Sequence, residues 1–187
     1  MKKSIMILLG VLAVIVIIIS MLGGSYNSLV TKQEQVDKEL ANIDVQLERR
    51  ADLIPNLVST VKGYTSHESE IIDKITSARE NLLKADSVSE KSTANNELTS
   101  ALNALMVVVE NYPDLKSNQN FIQLSDELAG TENRIATARR DYNDSVTSYN
   151  TSIKKFPTNI LAGMFGFEKK DYFEVSEGKT DVPNVEF

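Results

Sequence analysis

Apolar and polar residues are distributed along this chain in three patterns. From Ser4 to Leu22 there are 19 consecutive residues without a charge, mostly Ile, Val, Leu and Met. As a helix rising 1.5 Å per residue such a run spans about 28 Å, which matches a bilayer core. After Gly23-Gly24-Ser25, read as a flexible hinge, apolar residues recur in steps of three and four: Val36, Leu40, Ile43 and Leu47. This is a heptad seam, and it resumes at Ile54, Leu57 and Val61 and again at Ile71, Ile75, Ala78 and Leu82, with Tyr64 and Glu68 in register between them. The third pattern is Ile160 to Phe167, a compact apolar stretch too short to span a membrane.

Punctuation divides the seam into helices. Asp52 is a good N-cap and Pro55 falls in the first turn that would follow it, so a break is expected near Arg50–Asp52, with a kinked continuous helix as the alternative. Gly63 is a second break, and Thr65 with Glu68 spells a capping box. Ser87 with Glu90 spells another, opening a third helix with Ala94, Leu98, Ala101, Leu102, Leu105, Val108 and Val109 on one face. A fourth helix is expected from Ser117 or Asn118 to just before Pro157. No alternating strand pattern appears. The predicted fold is all-α, an up-and-down four-helix bundle of long antiparallel helices preceded by one N-terminal transmembrane helix. The chain divides as 1–25 anchor and hinge, 26–155 helical bundle, and 156–187 short apolar helix and tail, the tail loosely held from Glu174.

The apolar run reads as an uncleaved anchor, because a secretory signal has a shorter apolar core and Met21-Leu22-Gly23-Gly24-Ser25 is a poor cleavage site. Lys2 and Lys3 precede the span while Lys32 and Lys38 follow at a distance, so the immediate flank predicts a single-pass protein of the cell membrane with the bundle outside the cytoplasm. Setting aside Lys2 and Lys3 leaves 18 basic against 26 acidic residues in the remainder, which would stand off an anionic surface. A net charge of −6 also argues against a nucleic-acid partner.

Candidate chemistry is sparse. With no Cys and one His, disulfides, thiolate metal sites and cysteine nucleophiles are excluded. Arg50 and Glu68 fall on the apolar face and need partners, for which Asn42, Asp44, Glu132, Arg134 and Arg139 are available. A buried polar network that fixes helix register is the expected use. His67 beside Glu68 suggests metal or proton transfer, and a metal-binding or enzymatic sensor using His67, Glu68 and Glu132 is the alternative function. Ile71 stands where an HExxH motif would place its second His. No nucleophile elbow or phosphate-cradling loop is present. No cofactor is expected. Tyr-Asn occurs at 26–27, 142–143 and 149–150, the last two one heptad apart, and the rings of Tyr142 and Tyr149 are expected to pack in the seam with hydroxyls at its edge. The stretch Ile160–Phe167 either closes the end of the bundle or dips Phe165 and Phe167 into a lipid interface, which would make the protein a lipid-contacting, membrane-shaping one.

Several blocks together resemble the LemA family: Asn42-Ile43-Asp44, Arg49-Arg50-Ala51-Asp52-Leu53-Ile54-Pro55-Asn56-Leu57-Val58, Val61-Lys62-Gly63-Tyr64, His67-Glu68, Glu110-Asn111-Tyr112-Pro113-Asp114-Leu115-Lys116, Glu127-Leu128-Ala129-Gly130-Thr131-Glu132-Asn133-Arg134-Ile135-Ala136 and Ala138-Arg139-Arg140-Asp141-Tyr142-Asn143. The likeness covers residues 26–187, including Gly166-Phe167 and Val185-Glu186-Phe187. It implies a bacterial single-pass membrane protein with a four-helix bundle, and it brings no catalytic residue or cofactor. Leu40 stands where the family often carries Trp, which would loosen packing of the first helix. The expected function is a non-enzymatic module, held in the bilayer through Ser4–Leu22, that binds an unidentified protein partner or itself. Its expected contact surface is the Glu110–Lys116 turn (Glu110, Asn111, Tyr112, Pro113) with Arg49–Asn56 (Arg49, Arg50, Asp52, Pro55, Asn56).

Overall fold

In the computed structural model, which describes residues 2–65 and 68–174, the first helix, α1 (Lys2–Lys62), runs unbroken through Gly23, Gly24, Ser25, Asp52 and Pro55. The expected hinge is therefore helical, since glycine in a helix costs about 1 kcal/mol against alanine without forbidding it. The expected break at Arg50–Asp52 does not form either, and the reason is specific. Proline lacks the N–H that would bond the carbonyl four residues back, here that of Ala51. Arg79 replaces the missing donor, its Nε donating to Ala51 O at 2.7 Å. Asp52 is consequently an exposed mid-helix residue rather than an N-cap.

Helix α1 ends where Gly63 was expected to end it. The Thr65 hydroxyl donates to Val61 O at 3.1 Å, closing the first helix instead of opening the next. The Thr65/Glu68 capping box does not form, because the N-cap of α2 (Ser69–Lys84) is Glu68 itself, without a side-chain cap. Tyr64 lies beyond the last helical turn and is exposed, so it leaves the heptad register. The Ser87/Glu90 box does form at the start of α3 (Val88–Val109): Ser87 Oγ accepts from Glu90 N at 3.2 Å and Glu90 Oε2 accepts from Ser87 N at 3.0 Å. The backbone N–H groups of Ser87 and then Asp86 hold the Glu90 carboxyl below the usual range. A single turn, α4 (Pro113–Lys116), precedes α5 (Gln119–Lys154), whose N-cap Asn118 accepts from Phe121 N at 3.0 Å. Helix α6 (Thr158–Phe165) and a stretch without regular secondary structure to Glu174 follow.

The chain forms two compact units. One comprises Leu40–Asn143 with Asp171 onward, and within it four helical segments alternate in direction. Arg49 reaches Glu127 and Tyr64 reaches Asn118, so numbering rises along α1 as it falls along α5. Asn81 reaches Glu97 between α2 and α3, while Asp44 reaches Lys91 and Arg50 reaches Asn95 between α1 and α3, which therefore run parallel. This is the up-and-down bundle. Its core is the predicted seam: Ile43, Leu47, Ile54, Leu57 and Val61 of α1 against Ile75, Leu82, Leu98, Leu105, Leu128 and Ile135, all buried. Leu40, where a Trp was anticipated, is half-buried.

The other unit comprises Met1–Glu39 and Asp144–Lys170. Described side chains from Met6 to Leu22 are exposed on every face of α1, and this stretch is long and apolar enough to cross a membrane. Burial begins at Leu29 and Val36, and continues in Val146, Tyr149, Leu161 and Ala162.

The proline account makes a testable claim. Arg79→Ala should destabilise the protein by about 1–3 kcal/mol, the cost of an unsatisfied buried acceptor. In a Pro55→Ala background, where residue 55 can bond Ala51 O itself, the same substitution should cost much less. A double-mutant cycle by chemical denaturation measures the difference, and equal costs in both backgrounds would refute the account.

Candidate functional site

Arg50 is the polar residue around which the bundle unit closes. Its side chain is 3% exposed, midway along the packed part of α1. Nη1 meets Glu132 Oε2 at 2.6 Å, donates to Asn95 Oδ1 at 2.6 Å and to Thr99 Oγ1 at 3.0 Å. Thr99 Oγ1 lies 2.9 Å from Asn95 O and 3.4 Å from Glu132 Oε2, so its own proton has an acceptor. Burial lowers the Arg50 pKa from its usual value, Glu132 opposes that shift, and Arg139 adds to it. An arginine so placed remains a cation, with no proton to exchange near neutral pH. Two donors of the cluster, Arg50 Nε and Asn95 Nδ2, have no protein acceptor. Glu132 retains about a third of its side-chain exposure, so one edge of the carboxylate faces water.

Other polar residues singled out in the sequence are distributed around this point rather than gathered at it. Arg49 pairs with Glu127 at 2.9 Å on the surface, and Asp44 receives Lys91 at 2.7 and 2.8 Å. Glu68 accepts from the Tyr112 hydroxyl at 2.8 Å, which raises the Tyr112 pKa. Glu68 and Glu132 thus serve different partners, and His67 lies outside the described residues. Among the described residues no group of three His, Asp or Glu is placed to hold a metal ion. Asp52, Pro55, Asn56, Glu110, Asn111, Pro113, Asn133 and Arg134 are exposed, as is Asn42. Arg134 borders a shallow open depression along α5 with Gln119, Ile122, Gln123, Asp126 and Glu127. The Arg49–Asn56 segment and the Glu110–Lys116 turn lie at different levels. Arg50 is 12 residues, about 18 Å, before the end of α1, whereas Tyr112 bonds Glu68 just beyond that end.

Sequence reasoning missed Asn95 and Thr99. The signal for Asn95 was present, because 95, 98, 102, 105 and 109 continue the three-and-four stepping with a polar residue at its head. It also undervalued the Tyr-Asn pairs. Tyr142 and Tyr149 are both buried, and the Tyr142 hydroxyl donates to Asp171 O at 2.8 Å. The asparagines do more. Asn143 gives Nδ2 to Phe173 O at 3.0 Å and takes Phe173 N on Oδ1 at 2.9 Å. Asn150 does the same with Lys170, at 2.8 and 3.0 Å. Each amide satisfies both backbone groups of one residue in the stretch that leads to Glu174, as a neighbouring strand would. Ser92 donates to Glu174 O, so the stretch is held up to the point where the loose tail was expected to begin.

These features define a class: an all-helical protein with an N-terminal apolar helix and, inside an up-and-down bundle, a polar cluster built on a buried arginine. The chain belongs to the LemA family, whose sequence pattern matches residues 39–187. Among its relatives, magnetosome protein MamQ 2 of Paramagnetospirillum magneticum is 32% identical over 90% of this chain and 71% of its own length. Magnetosome protein MamQ of Magnetospirillum gryphiswaldense is 30% identical over 96% of this chain and 75% of its own. Protein LemA of Metamycoplasma hominis is 30% identical, over 87% and 75% respectively.

The Arg50 cluster predicts an asymmetric response. Glu132→Gln should cost about 3–5 kcal/mol, because it leaves a buried cation uncompensated. Arg50→Met should cost less, since the Glu132 carboxylate can turn toward water while the thioether fills the space. Denaturant midpoints of the two variants compare them, and a larger loss for Arg50→Met would contradict this reading. A second prediction concerns pH. Burial first, then Asp37 and Glu168, raise the Tyr149 phenol pKa above its usual value of 10.0. Its neutral form is therefore favoured in the folded state, and the associated stability, present below the unfolded pKa, is lost as pH rises through the folded one. With no Trp in the chain, tyrosinate absorbance is unobscured. Tyr149→Phe should remove part of the late component of the alkaline titration curve, to which Tyr112 also contributes, and weaken the loss of stability in base.

Proposed function

We propose that this chain is a non-enzymatic, membrane-tethered helical module that engages a protein partner through the exposed surface of its bundle. The observation that carries this reading is how the polar residues are used. Arg50, Asn95, Thr99 and Glu132 bond one another, and Glu68 bonds Tyr112. The groups best placed for chemistry hold helices together, while apolar residues remain on the outside of the same unit. Met106 is 47% and Val107 69% exposed at the end of α3, beside the exposed Glu110–Pro113 turn. Adjacent exposed apolar side chains next to a polar turn have the composition of a small recognition surface. The apolar start of α1 supports placing that surface at a bilayer.

Site-specific photocrosslinking from position 107 in native membranes tests the proposal, with position 97 on the same helix as reference. A discrete adduct at 107 that Met106→Asp abolishes is the expected result. Adducts equal at both positions, or none, would contradict the proposal, as would a turnover activity that Glu132→Gln removes without unfolding the bundle.

A further inference from the structure

The apolar stretch of α1 ends where protein burial begins: Leu22 is exposed, Ser25 half-buried and Leu29 fully buried. Tyr26 is about one turn, or 6 Å, past Leu22, so a span ending at Leu22 puts it at the headgroup level where aromatic belts form. Helix α6 is fastened at this level. Its Phe165 ring lies 4.9 Å from that of Tyr26, and Phe167 lies at 5.8 Å. Gly166 adopts the left-handed φ of 73°, and Phe167 N bonds Ala162 O at 3.0 Å, which folds the chain back so that both rings reach Tyr26.

The remainder of α6 is unsuited to water. Its eight residues carry no charge. Leu161 and Ala162 are buried, yet Ile160 (53%) and Met164 (73%), one turn apart, are exposed, and Phe156 just before the helix is 81% exposed. The N-terminal end is basic, with Lys154 and Lys155 exposed, and exposed Lys169 follows the helix. Glu168 stands between them on the C-terminal side, and Lys170 is engaged by Asp37. An apolar face between exposed lysines, next to the end of a membrane span, is the composition of a helix lying in an anionic interface.

We propose that α6 is a second membrane contact: it lies in the leaflet from which α1 emerges, with Phe156, Ile160 and Met164 at the acyl boundary and the lysines at anionic lipid phosphates. The lipid surface is chosen over other occupants because α6 is joined to the membrane span through Tyr26. The contact is independent of any protein partner of the bundle. It gives the chain two attachment points, which fix the tilt of this unit on the bilayer as one helix could not.

The absence of cysteine allows unique labelling of the chain. Nitroxides at Ile160→Cys and Met164→Cys, in vesicles of mixed anionic and zwitterionic phospholipid, are compared with Ile15→Cys in the span and Val45→Cys on the bundle. The ratio of oxygen to nickel-chelate accessibility at 160 and 164 should be several-fold above that at 45 and approach that at 15. It should fall when the vesicles are purely zwitterionic. A ratio at 164 equal to that at 45 would overturn the proposal. So would spin–spin broadening at 164 that unlabelled protein dilutes away, since that assigns the face to a second copy. A ratio indifferent to headgroup charge would overturn the lysine–phosphate contact.

Discussion

A charge that water scarcely reaches must be satisfied by the protein, and in the bundle unit this constraint falls on Arg50. Its acceptors come from two other helices, Asn95 and Thr99 of α3 and Glu132 of α5. The next residue along, Ala51, offers its carbonyl to Arg79 of α2. Within two consecutive residues α1 is therefore bonded to each of the other three helices of the unit. This matters because a heptad seam is degenerate: sliding one helix past another by seven residues keeps Leu and Ile on the inside. Such a slip would leave the guanidinium facing hydrocarbon at a cost of several kcal/mol, so the buried cation specifies the register that the apolar pattern leaves open.

The same pair of residues explains why Pro55 is tolerated. A break at Arg50–Asp52 would free the Ala51 carbonyl and uncouple Arg50 from the turns that hold it between α3 and α5. Arg79 removes the reason for a break by substituting for the donor that proline lacks. Helix continuity here is a tertiary property, supplied by α2.

What could be read from the sequence follows from where each signal is completed. The Ser87/Glu90 box forms as spelled because both of its bonds close within four residues. The apolar stepping gave the helices and core because burial needs only a face, and Arg50 was recognised as a core polar residue for the same reason. Asp52-Leu53-Ile54-Pro55 and Thr65-Ser66-His67-Glu68 look like equally good local signals, yet Arg79 overrides one, and in the other α2 starts only after Glu68, too late for Thr65 to cap it. The heptad repeat of Tyr-Asn was visible, but its use was not: Asn143 and Asn150 take partners 30 and 20 residues away, and nothing in a Tyr-Asn dipeptide names Phe173 or Lys170.

This division bears on how the family resemblance should be understood. The blocks that carry it include Arg50, Glu68, Tyr112, Glu132, Tyr142 and Asn143, and each of these has a structural task within the bundle unit: a register bond, a bond at a helix end, or a clasp on the stretch that leads to Glu174. Such residues report the fold and are compatible with many tasks. Likeness to relatives named for the magnetosome and to one named LemA therefore speaks for the fold and names no partner. The side chains that the bundle does not consume include the exposed apolar residues at the end of α3 and along α6. Substitutions at those two places leave Arg50 and its acceptors intact, so their effects on binding can be separated from effects on folding.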